Sequence, residues 1–159
     1  MSELSAWLSL VHEDIIEPDR PIIDPHHHLW RDHRTVNRSI DYDLNDLWAD
    51  TASGHNIIAT VFVECGADYR PGGPQSIRPV GETEYVKSAA DLSLIDGSEG
   101  RPPIKGIVSH ADLRLGAAVE EVISAHVYAG GGLLKGIRHA TAYYPDPPAV
   151  DRYAGRIEE

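Results

Sequence analysis

Seven consecutive residues, Ile57-Ile58-Ala59-Thr60-Val61-Phe62-Val63, carry no charge and are mostly β-branched. A run of this kind reads as a strand covered on both faces. That is the setting of a parallel sheet flanked by helices, not of an antiparallel sheet with one wet face. Everything around it fits the same plan.

The preceding segment begins with Leu4, Trp7, Leu8 and Val11 at i, i+3, i+4 and i+7, the spacing of a short amphipathic helix. Pro18 and Pro21 mark a linker, and Pro21-Ile22-Ile23-Asp24-Pro25-His26 is a short apolar run stopped by proline, as a buried strand would be. A polar loop is expected up to about Asp43, which can cap a helix carrying Leu44, Leu47 and Trp48 and closed by Gly54. After the central run, a Pro/Gly-rich loop over residues 69–79 leads to a helix with Val86, Ala89, Ala90 and Leu92 on its apolar face. Residues 96–103 have turn chemistry, 104–109 form a third strand, and Val119, Val122, Ile123, His126 and Val127 line a further helix. Gly130-Gly131-Gly132 ends that helix, residues 132–137 are a fourth strand, and the tail over 143–159 is loop-like.

Strand starts near residues 21, 57, 104 and 133 recur at roughly 37-residue intervals, whereas an eight-unit barrel needs ~250 residues. The fold class is therefore α/β, a partial (β/α)8 barrel of about four βα units. Residues 1–20 form an N-terminal helix and linker, and residues 21–159 the N-terminal half of the barrel.

Formal net charge is −11, from 25 acidic and 14 basic residues, and such a surface repels nucleic-acid phosphates and anionic lipid. The opening Met1-Ser2-Glu3-Leu4 lacks the basic and apolar regions of a secretory leader, no apolar run would span a bilayer, and the lone Cys65 cannot pair within the chain. A cytoplasmic protein acting on a small molecule is expected, with no nucleic-acid or membrane partner.

In parallel α/β folds the site lies beyond the carboxyl ends of the strands. Here each expected strand ends in titratable groups: His26, His27 and His28; Glu64 and Cys65; His110 and Asp112; Arg138 and His139. His26 and His28, two apart, can face the same way while His27 faces the other, and neutral imidazole suits zinc or a related divalent ion. Asp24 would lie one layer deeper on their face, either accepting a ring N–H or sitting beneath the metal. A polar loop with three exposed histidines is the plain alternative.

The stretch Ile22-Ile23-Asp24-Pro25-His26-His27-His28-Leu29-Trp30 resembles the first-strand motif of the amidohydrolase-related barrel hydrolases, a group that includes sugar-acid lactonases and metal-dependent decarboxylases. Lys135-Gly136-Ile137-Arg138-His139 is similar to the fourth-strand motif of the lactonase-like branch, as are Val61-Phe62-Val63-Glu64-Cys65 and Pro79-Val80-Gly81-Glu82-Thr83-Glu84. The resemblance runs from about Pro21 to Tyr144. It implies that His26 and His28 bind a metal, or, as in metal-free lactonases, help polarise the substrate carbonyl. Family members complete the site with a fifth-strand histidine and an eighth-strand aspartate, and neither position falls within these 159 residues.

The candidate residues divide accordingly. Metal ligation falls to His26 and His28, with zinc the expected ion or no metal at all. Arg138 is placed to grip a substrate carboxylate, because its planar fork matches that group. His139, Glu64 and His110 join it as catalytic candidates, although Glu64 could equally serve in a salt bridge to Arg70 or Arg138. Asp112 either lines the pocket or caps the next turn. Cys65 reads as a small buried thiol, and His12, His33, His55 and His126 as structural or exposed. The 69–79 loop, with Arg70 and Arg78, either closes over substrate or is a plain connection. The expected activity is hydrolysis of a lactone or related carbonyl compound, polar or anionic, by metal-activated water. The alternative is a catalytically silent half-barrel that only folds or self-associates through its unpaired strand edges.

Overall fold

The computed structural model describes residues 6–7, 10–11, 13–34, 39–95 and 100–140. Along the chain run β1 (Ile22–His27), β2 (Trp30–Arg34), β3 (Ser39–Tyr42), α1 (Leu44–Thr51), β4 (Ile57–Val63), α2 (Val80–Ile95), β5 (Ile104–His110), α3 (Val119–Gly130) and β6 (Leu134–Arg138). Strands β1, β4, β5 and β6 form one parallel sheet in that order, while β2 and β3 pair antiparallel beside it. The α/β class and the parallel sheet with helical connections are as expected from the sequence.

Helix α2 lies on β5 and against α3, which also touches β6. Its buried Val86, Ala89, Ala90 and Ser93 follow helical spacing, and they meet Phe62, Ile104 and Ile107 of the sheet, all three wholly buried. Filling such a site with one large apolar side chain stabilises the fold by about 1.5–3 kcal/mol. Helix α1 starts where Asp43 predicts. The Asp43 carboxylate accepts the amides of Asn45 and Asp46 at 2.7 and 3.3 Å, and Asp46 returns a bond to the Asp43 amide at 2.8 Å, a complete capping box. Helix α3 ends on Gly131 at φ +53°, a left-handed cap that glycine takes without strain.

Several expectations need correction. The segment before Asp43 is not simply a polar loop, because β2 and β3 form a hairpin there. Strand β2 has no aliphatic residue after Trp30 and β3 is only four residues long, and the Trp30–Tyr42 pairing, with ring centroids 6.2 Å apart, is a tertiary contact. Helix α1 stops at Thr51 with Ala52 as its cap, and Gly54, at φ +114°, lies in the turn beyond. Leu92 and Val127 face water at 60% and 55% exposure, so the apolar faces of α2 and α3 are narrower than apolar spacing alone suggests. Strand β4 is covered on both faces only towards its end: Ile58 is 49% exposed whereas Phe62 and Val63 are buried.

Of the expected N-terminal helix, Ala6 and Trp7 are helical and most of the remainder lies outside the described residues, as does the tail over 143–159. Among the described residues no helix is long and apolar enough to cross a membrane.

Candidate functional site

Because the four strands run the same way, their carboxyl ends share one rim of the sheet. The register aligns Val63 with Val108 and His110 with Arg138, so the titratable residues that follow are neighbours in space. Hydrogen bonds lace them together.

At the end of β1, the imidazoles of His26 and His28 stand edge to face with centroids 5.0 Å apart. His27 is buried, its Nε2 meets the Thr60 hydroxyl at 3.1 Å and its ring lies 5.9 Å from Phe62. Burial lowers the His27 pKa to about 4, so it stays neutral. His28 Nδ1 lies 2.8 Å from the Val63 carbonyl. A carbonyl only accepts, so Nδ1 carries the proton and Nε2 keeps its lone pair. Burial also lowers the His28 pKa, which keeps that lone pair available at neutral pH.

Asp24 does not take the place expected for it. Asp24 pairs with Thr60, a register irregularity separates it from His27, and its carboxylate accepts the His26 main-chain amide at 3.0 Å. It helps line an open recess of about 390 Å³ together with the three histidines, Tyr42 and Asp50.

At the end of β4, Glu64 is 3% exposed and Arg138 holds it. Arg138 Nε donates to Glu64 Oε1 at 2.8 Å, and Nη2 donates to the Glu64 main-chain carbonyl. The salt-bridge reading of Glu64 is thus the geometry adopted here, and two donors of Arg138 are committed to it. On β5, His110 Nδ1 faces the Arg138 carbonyl at 3.2 Å, which again leaves Nε2 as an acceptor. Burial lowers the His110 pKa as well. The His139 ring lies 5.6 Å from that of His110, and its Nδ1 accepts the Leu113 amide at 3.0 Å.

Asp112 caps the turn that follows β5, accepting the Arg114 amide at 2.9 Å and its guanidinium at 3.0 Å. The hydrogen bond from that guanidinium draws the Asp112 pKa down to about 2. The 69–79 loop is tied down by an Arg70–Glu84 ion pair, by the Arg70 amide on the Arg78 carbonyl at 2.9 Å, and by Arg78 Nε on the Gly73 carbonyl at 3.3 Å.

Two residues matter more than their sequence context suggests. His126 is wholly buried, its Nε2–H donating to the His110 carbonyl at 2.9 Å while Nδ1 accepts from Thr83, whose hydroxyl also meets Ser109. It anchors the strand that presents His110. Glu82, 1% exposed on α2, accepts the amides of Cys65 and Ala67 on one oxygen. Helical spacing back from Val86 and Ala89 puts position 82 on the buried face, a signal available in the sequence.

Among the described residues no group of three or more His, Cys, Asp or Glu side chains is arranged to hold a metal ion. The fit of this chain to a divalent cation therefore rests on the His26–His28 pair. Two imidazoles are the right donor type for zinc and half of a tetrahedral set.

No family model and no solved structure matches the chain. A curated relative, Uncharacterized protein y4mH from Sinorhizobium fredii, is 28% identical over 148 residues, covering 80% of this chain and 42% of its own length. The chain therefore spans less than half the length of that relative.

Proposed function

We propose that this chain supplies the first half of a (β/α)-barrel hydrolase site of the amidohydrolase-related type, which opens a lactone or related carbonyl compound with water. The observation that carries the reading is the fixed tautomer of His28. With Nδ1–H held by the Val63 carbonyl, Nε2 is presented as a donor beside the His26 ring. His26 and His28 would hold the cation, and the other ligands would come from later strands of a longer chain. A divalent ion bound there, zinc by donor type, supplies Lewis acidity and brings the pKa of water down to about 7.

The remaining groups have separate tasks. His110, neutral and with Nε2 open, accepts a hydrogen bond or proton from substrate. Arg138 orients an anionic substrate group with whatever of its fork Glu64 leaves available, and Glu64 keeps that guanidinium aimed across the strand ends. His139 closes the side of the site next to His110.

The test is metal content and lactone hydrolysis by the full-length protein and its His26→Ala/His28→Ala variant. Loss of a group that merely hydrogen-bonds a metal ligand costs about 10–100-fold, so removing both ligands should lower turnover by ~100-fold or more and release the metal. Turnover unchanged in the variant overturns the reading. A variant that loses turnover while metal content stays the same supports the metal-free version, in which the pair polarises the carbonyl directly.

A further inference from the structure

We propose that Glu82 is the positioning residue for the Glu64–Arg138 pair, holding from α2 the backbone turn that sets where that pair lies. The Cys65 and Ala67 amides both donate to Glu82 Oε1, at 3.0 and 2.7 Å, and the Cys65 thiol lies 3.6 Å from the same oxygen. These amides belong to the residues directly after Glu64, whose side chain and main-chain carbonyl both receive Arg138. Residue 64 is consequently gripped from two sides: by a guanidinium from β6 and, through the next peptide, by a carboxylate from the first turn of α2.

The helix can come this close only because Gly81 precedes Glu82. A Cβ there would lie 2.5 Å from the Asp68 carbonyl oxygen and 2.6 Å from the Arg70 amide nitrogen. The other Glu82 oxygen, Oε2, is buried with no hydrogen-bond partner among the described residues. An ionised carboxylate with one oxygen desolvated and unpaired is costly, which favours a proton on it. Burial accordingly raises the Glu82 pKa to about 7, with Glu64 adding to the rise and the two amides opposing it. The titratable groups that bear on Glu82 are Glu64 and Cys65 from the end of β4, with Arg138 of β6 on the far side of Glu64. Charge on Glu82 is therefore felt at Arg138 through one peptide and one ion pair. The consequence for catalysis rests on the hydrolase reading, whereas the geometry and its test do not.

The test is nuclear magnetic resonance on the whole chain, following the Cys65 and Ala67 amides and the Arg138 Nε–H through a pH titration. In the wild type all three signals should move together with a midpoint near 7. In Glu82→Gln, which keeps an oxygen acceptor but cannot ionise, that common titration should vanish while the Arg138 Nε–H stays protected from exchange. In Glu82→Ala exchange at all three should speed up by at least ~10-fold. An Arg138 signal that ignores the amide titration, or a titration that persists in Glu82→Gln, overturns the proposal. Should Glu82→Ala fail to fold, the glutamine variant and the wild-type titration decide the matter. None of these readouts uses turnover, so a failed lactonase assay leaves them standing.

Discussion

Arg138, on the outer strand β6, reaches past β5 to Glu64 at the end of β4, with 2.8 Å between its Nε and the carboxylate oxygen. The partners differ in exposure: the arginine side chain is 36% exposed and the glutamate side chain 4%. Breaking the pair from either side is therefore not equivalent. Arg138→Met strands a buried carboxylate and should cost about 3–5 kcal/mol. Glu64→Gln keeps an acceptor and leaves a guanidinium that can turn to water, so about 1–2 kcal/mol is expected. Urea unfolding at pH 7 measures both, and equal losses would contradict this asymmetry.

Gly81 sets how closely α2 approaches the 68–70 backbone. In Gly81→Ala, helix propensity favours alanine by up to about 1 kcal/mol. The new methyl would meet two main-chain atoms at 2.5 and 2.6 Å, and neither is the end of a flexible side chain. Overpacking of this kind costs about 1–3 kcal/mol or more, so the clash wins. A melting temperature lowered by several degrees is expected by calorimetry. An unchanged or raised value would mean that the helix start shifts freely.

Glu82 makes stability depend on pH with a definite sign. Its carboxyl titrates at about 7 when folded against 4.5 ordinarily, so between these values the folded state holds a proton that the unfolded state has lost. The stability tied to that proton is fully present below about 4.5 and is lost as pH rises through about 7. The full effect is on the order of 3 kcal/mol. Glu82→Gln removes the dependence, so its stability should gain on the wild type between pH 5 and pH 8. Parallel curves for the two proteins would show that the carboxylate is already ionised at pH 5.

Cys65 should be inert in the native protein. The residue is 6% exposed, its thiol donates to the Leu29 carbonyl at 3.5 Å, and burial pushes its pKa well above the usual thiol range. A thiol reagent at pH 8 should label it only when denaturant opens the fold. Immediate stoichiometric labelling without denaturant would contradict this placement.

The strands were legible because their code is local. The uncharged run of β4, the apolar start of β1 after Pro21 and the Asp43 cap each state a preference within a few neighbouring residues, although β1 runs on through Pro25, where a stop was expected, to His27. The hairpin of β2 and β3 was not legible, because its strands are polar and depend on a cross-strand pairing. Alternation at the end of β1 anticipated that the His26 and His28 rings stand together. For Asp24 the same rule failed, because a register irregularity intervenes before His27.

Sequence by itself determined the α/β class, the parallel order of βα units and the kinds of side chain that close each strand, since all three follow from hydrophobic period and turn chemistry. Only the tertiary structure decided which side chains are already engaged: Arg138 with Glu64, Glu82 with the Cys65 and Ala67 amides, and His28 and His110 each with a neighbouring strand's carbonyl. Partner choice is a matter of distance and desolvation between residues far apart in the chain, with 74 positions separating Glu64 from Arg138. No local pattern encodes that separation, and it appears only when the parallel register brings the strand ends to one rim.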